Sequence, residues 1–181
     1  MKKIIATTMT CSMLAGVGAA LSGCSLFFWN KKEDSSLVPF STIPSSAYQS
    51  FVKTWDDKDQ PVLCALIRSQ SDWNYWFRPA ATMRTRQALT PSADYFETRQ
   101  LLLATRVIQA PDSVERSQIF TADKVTMKGG VLKLEYRFVK PRSGATYEVK
   151  DFLLVEIPKE RYTTGPVQFI ENGQKVCQIS R

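Results

Sequence analysis

Ser117-Gln-Ile-Phe-Thr-Ala-Asp-Lys-Val-Thr-Met-Lys128, followed by Gly129-Gly130 and then Val131-Leu-Lys-Leu-Glu-Tyr-Arg-Phe-Val139, is the stretch whose reading decides the fold class. Its second half alternates strictly: Leu132, Leu134, Tyr136 and Phe138 fall on one face, Lys133, Glu135 and Arg137 on the other. Alternation with period two is the signature of a half-buried strand. Two glycines between such segments supply the positive φ angles that a two-residue hairpin turn requires. Closing the loop at Gly129-Gly130 sets Lys128 opposite Val131, Met127 opposite Leu132 and Val125 opposite Leu134. A slip of one residue would turn the apolar set to water, so turn chemistry and polarity specify the same register.

The pattern continues on both sides. Val62-Leu63-Cys64-Ala65-Leu66-Ile67 is an uninterrupted apolar run of strand length, which predicts a central strand buried on both faces. Leu101 to Ile108 and Tyr147 to Ile157 read as further strands, and Val167 to Ile179 as a last hairpin around Asn172-Gly173. One helix interrupts them. Ser69-x-x-Asp72 is a capping-box-like start, Trp73, Trp76 and Phe77 share a helical face, and Pro79 is placed to end it. Six to seven strands with one short helix and no βαβ spacing predict a mainly β protein, an antiparallel β-sandwich or half-barrel.

The chain has 181 residues, enough for one domain, preceded here by a segment of different character. Lys2 and Lys3 lead an uncharged apolar stretch, Ile4 to Leu21, which ends in Leu21-Ser22-Gly23-Cys24. Residues 1–23 therefore read as a signal peptide. The closing tetrapeptide resembles the bacterial lipoprotein processing box, which implies acylation of Cys24, anchoring to the membrane through that lipid, and, with Ser25 next, an outer membrane lipoprotein facing the periplasm. Residues 24–46 read as a lipid-proximal tether, with Leu26, Phe27, Phe28 and Trp29 beside the lipid and a Ser- and Pro-containing spacer after them. Residues 47–181 form the β-rich domain.

Of four cysteines, Cys11 leaves with the signal and Cys24 carries lipid, so Cys64 and Cys177 remain as a pair in an oxidising compartment. A disulfide is the expectation; two buried thiols are the alternative. Loss of Lys2 and Lys3 takes the net charge from +7 to +5. In the cell envelope that charge suits anionic lipid headgroups, phosphate-rich glycolipid or an acidic protein partner, with no nucleic acid partner.

No histidine is present. That excludes a Ser-His-Asp triad, a Cys-His pair and any His-ligated metal. Asp56, Asp57 and Asp59 lack the glycine and distant glutamate of an EF-hand and read as a solvated turn. Ser50-x-x-Lys53 spells a Ser–Lys dyad without its companion motifs. No Gly-rich phosphate loop occurs, so no catalytic residue, cofactor or metal is assigned. Binding has better candidates. Trp73, Trp76 and Phe77 suit core packing, sugar stacking or a protein interface, whereas Tyr75 lies off their face and is the aromatic expected to be exposed. Pro79 to Asp94 lacks periodicity and carries Arg84 and Arg86 close behind Arg78, with no acid before Asp94. Long loops in compact domains are often functional, and guanidinium groups suit carboxylate or phosphate, although a merely mobile loop fits the same pattern. Tyr75, Arg78, Arg84 and Arg86 are the partner-binding candidates.

The order of Arg68-Ser69, Asp72-Trp73 with Trp76, Pro91, Asp94-Tyr95-Phe96 and Leu101-Leu102-Leu103-Ala104 resembles the C-terminal domain of the PrcB-type protease-complex lipoproteins. Leu153 to Lys159 is similar to that domain's closing strand, and the likeness spans roughly Val62 to Lys159. The chain has Ala110 to Val114 where the family carries a Gly-Gly-Tyr-like segment. The resemblance implies a non-catalytic envelope lipoprotein that binds and stabilises a larger protein, as an accessory or scaffold subunit of a multiprotein complex. A periplasmic glycan- or lipid-binding lipoprotein using the aromatic helix is the alternative.

Overall fold

The computed structural model describes residues 35–44, 50–52, 55–79, 90–110, 118–142 and 145–180. Cys24, the signal segment, Lys53, Arg84 and Arg86 lie outside the described residues. Among the described residues eleven strands occur, in chain order β1 (Ser36–Leu37), β2 (Ser41–Ile43), β3 (Ser50–Val52), β4 (Leu63–Ile67), β5 (Phe77–Pro79), β6 (Arg99–Gln109), β7 (Phe120–Lys128), β8 (Val131–Phe138), β9 (Glu148–Pro158), β10 (Val167–Glu171) and β11 (Gln174–Ile179). They form one sheet of order β1-β7-β8-β10-β11, a second of order β2-β9-β6-β4, and a ribbon β3-β5.

Seven of these strands are the expected long segments. The other four are two or three residues long, too short to show any alternation, which is why the count exceeds six to seven. The β7–β8 register is the expected one, with Lys128 opposite Val131 and Val125 opposite Leu134, up to a bulge between Ala122 and Lys124. Two placements differ from the sequence reading. β10 runs parallel to β8, so the first sheet is mixed. β4 is an edge strand rather than a central one. It is apolar throughout because the second sheet is covered on both sides.

Alternation along the strands of the second sheet builds those two sides. Leu66, Leu102, Ala104, Leu153, Val155 and Ile157 meet Val125, Leu132, Leu134, Val167 and Phe169 of the first sheet in an inner core. The intervening residues Leu63, Ala65, Ile67, Leu101, Leu103, Phe152 and Leu154 form an outer core with Val52, Trp73, Phe77 and Phe96. The covering layer comprises α1 (Gln70–Trp76), a four-residue helical turn α2 (Tyr95–Thr98) and the β3-β5 ribbon.

α1 begins where expected: the Ser69 hydroxyl accepts from the Asp72 amide. The Asp72 carboxylate reaches back to the Arg68 amide, at 2.8 Å, one residue beyond the cap. The helix ends at Trp76, three residues before Pro79, because Phe77 turns extended and starts β5. Trp73 and Phe77 stack with centroids 4.2 Å apart, and Phe77 meets Phe152 edge-on.

Ser36–Leu37 and Ser41–Ile43, within the stretch read as tether, are strands. β1 pairs with β7 of the first sheet and β2 with β9 of the second, while Val38 between them enters the inner core. The ordered domain thus includes these residues ahead of 47. The chain thereby ties one pair of sheet edges together. At the opposite edges, β4 and β11 are joined by the Cys64–Cys177 disulfide, with Cα atoms 6.3 Å apart.

Candidate functional site

Two polar clusters lie at the ends of the inner core, both served by β6. Gln100 and Arg106 stand on the inward-facing register with Leu102 and Ala104, six residues and about 20 Å apart along the strand. At one end Gln100, fully buried, donates to the Tyr162 carbonyl at 2.8 Å and accepts from Arg68 Nε at 3.1 Å. Arg68 also donates to the Thr163 carbonyl, and its guanidinium lies 5.3 Å from the centre of the Tyr162 ring.

At the other end Arg106 Nε donates to Glu171 Oε2 at 3.0 Å, with Nη2 on Oε1, a two-point contact between the two sheets. Tyr136 Oη donates to Glu171 Oε2 at 3.1 Å, and Arg106 lies over Phe138 at 4.7 Å. Glu171 is buried and is the register partner of Tyr136 across the parallel β8–β10 pair. Burial pushes the Tyr136 hydroxyl well above the usual phenol range, and the negative charge of Glu171 adds to it. Each oxygen of Glu171 therefore has a donor, and the arrangement holds the sheets in register rather than presenting an acid or base to a ligand. Sequence reading did not single these residues out. Their signal was there: Arg106 and Glu171 are opposite charges, each on a strand face whose nearest inward neighbours, Ala104 and Ile108 for one and Phe169 for the other, are apolar.

Of the partner-binding candidates, Tyr75 and Arg78 lie on the covering layer, and Arg84 and Arg86 are outside the described residues. Tyr75 is 64% exposed on α1 and meets Trp76 edge-on at 4.8 Å. Arg78 is exposed on β5, opposite Phe51 of β3. In sequence both precede residues 80–89, which carry Arg84 and Arg86. Trp73 and Phe77 are fully buried and belong to the outer core, and Trp76 packs against it.

The acidic turn is closed by its own backbone. Asp56 Oδ1 accepts from the Lys58 amide at 3.1 Å, Trp55 donates to the Gln60 carbonyl, and Asp56, Asp57 and Asp59 are exposed. Among the described residues no group of three His, Cys, Asp or Glu side chains is placed to hold a metal ion. An open cleft of about 280 Å³ lies between Gln118-Ile119 and Val139 to Arg142.

Comparisons of the chain with family models, curated proteins and solved structures give no match.

Proposed function

We propose that the protein is a non-catalytic, lipid-anchored accessory subunit of the bacterial envelope that binds and stabilises a larger protein complex. The observation that carries this reading is the division of the aromatic residues along α1 and the start of β5. Trp73 and Phe77 are spent in the core, while Tyr75 and Arg78 face solvent on either side of the residue 76–77 boundary, next to the segment bearing Arg84 and Arg86. An exposed tyrosine close in sequence to three arginines has the composition of a protein interface, where aromatics and Arg carry most of the binding energy. A sugar platform needs open ring faces, and the buried pair offers none, so the protein-partner reading is favoured over the glycan-binding one. Anchoring rests on Leu21-Ser22-Gly23-Cys24 and agrees with a disulfide-bonded domain in an oxidising periplasm. In this reading Cys24 carries the lipid that holds the protein to the outer membrane.

The test is capture of the full-length lipoprotein from its own membranes in detergent, followed by mass spectrometry. One stoichiometric envelope partner is expected. Combined Tyr75→Ala, Arg78→Glu, Arg84→Glu and Arg86→Glu substitution should abolish capture and leave the melting temperature unchanged. Capture that survives those changes would remove this surface from the reading.

A further inference from the structure

The outward face of the five-stranded sheet carries a second, different surface. The register places Leu37, Thr126, Lys133, Gln168 and Gln178 in one row across all five strands. The adjacent row runs Lys124, Glu135, Ile170, Lys175, and Lys128 stands beside Val131 at the hairpin end. Lys124 is paired with Glu135, and, on the same two strands, Arg137 with Asp123, so these four charges cancel. Lys128, Lys133 and Lys175 remain as surplus cations, and among the described residues no ion pair engages them.

Leu37 is 75% exposed at the edge of this face, the most exposed large apolar side chain among the described residues. It stands next to Ser36, where the chain arrives from Cys24. Ser36 lies twelve positions after Cys24, a span of at most about 43 Å when fully extended. A domain held that close to a bilayer samples it continually. The chain enters at β1, one edge of this lysine-bearing sheet face, where Leu37 is exposed and Lys128 stands on the adjoining strand β7.

We propose that this face, through Lys128, Lys133, Lys175 and Leu37, rests on the anionic lipid headgroups of the membrane to which the protein is tethered. The proposal builds on Cys24 as the anchor. Its consequence is orientation: the opposite side of the molecule, with α1, Tyr75 and Arg78, is turned toward the periplasm and a partner. Lysines near an anionic bilayer are attracted with a strength that salt removes within a Debye length, and a leucine at the interface adds apolar burial.

The experiment is lysine acetylation, read by mass spectrometry, on the full-length protein reconstituted in phosphatidylcholine vesicles with and without phosphatidylglycerol. Acetylation of Lys128, Lys133 and Lys175 should fall by roughly fivefold in the anionic vesicles. It should recover at high salt, while Lys58 and Lys140 stay constant. Equal reactivity in the two vesicle types overturns the proposal. So does protection found only in native membranes, which would mean an acidic protein occupies the face. Flotation of the vesicles at high salt reads the anchor separately: a chain that salt strips off lacks the lipid, whatever its lysines report.

Discussion

Cys64 and Cys177 lie 113 residues apart in sequence, yet their disulfide joins the outermost strands of two different sheets. No backbone ladder links β4 to β11, so the bridge is the covalent closure of that side of the sandwich, as Val38 to Phe40 is of the other. Closing a loop of that length lowers the entropy of the unfolded chain by an amount worth about 4–5 kcal/mol. Cys64→Ala with Cys177→Ala should lower unfolding free energy by up to this value in urea titration. A thiol assay on denatured, unreduced protein should find neither cysteine free.

Arg106 and Glu171 make the corresponding noncovalent tie at the mouth of the inner core. Removing one partner leaves the other charge in a poorly solvated site. Because Arg106 keeps some contact with water, the cost for Glu171→Ala belongs near the lower end of the usual range, about 3 kcal/mol. Replacing both with apolar residues, Arg106→Met and Glu171→Leu, should cost less than the two single changes together. Chemical denaturation of the four proteins checks this through the double-mutant cycle.

Local rules account for what was readable beforehand. The β7–β8 register followed from alternation plus Gly129-Gly130, and the burial of Trp73 and Phe77 from their spacing, because each depends on residues within a dozen positions. The parallel pairing of β10 with β8 links segments more than thirty residues apart, and nothing in either strand names its neighbour. β1 and β2 escaped notice because Ser36–Leu37 and Ser41–Ile43 are held by the partner strands rather than by their own pattern. For the candidate site, Tyr75 was legible as the aromatic off the helical face, and it is exposed. The Arg106–Glu171–Tyr136 cluster was not, since its members come from three strands and two sheets.

The turn ahead of β10 depends on a glycine for two reasons. Gly165 has φ +125°, and a Cβ there would collide with the backbone carbonyl oxygen of Gly130 in the β7–β8 turn. The neighbouring bond from the Leu132 amide to the Pro166 carbonyl, 3.0 Å, fixes that close approach. Gly173, at φ +82° in the Asn172-Gly173 turn, has open space around it. Gly173→Ala should therefore cost only the conformational term, about 1–2 kcal/mol. Gly165→Ala should cost clearly more, about 3 kcal/mol, because backbone must also move. Thermal melts of the two variants give the comparison, and equal losses would contradict the steric account.

Tyr136 makes the stability of the domain depend on alkaline pH in a defined direction. Burial first, and then the charge of Glu171, raises its ionisation above the value of about 10 that an unfolded tyrosine has. The folded form therefore retains a proton that the unfolded form releases. Stability from this group is complete below pH 10 and declines as pH rises above it, by about 1.4 kcal/mol per unit, until the folded tyrosine itself ionises. Tyr136→Phe removes that dependence. At neutral pH the variant should be less stable by about 1–3 kcal/mol, because Glu171 loses a donor. Above pH 10 its stability should fall less steeply than that of the native protein, so the gap between the two narrows. Urea titrations of both proteins from pH 8 to 11 measure it; parallel curves across that range would show that the buried hydroxyl is not the titrating group.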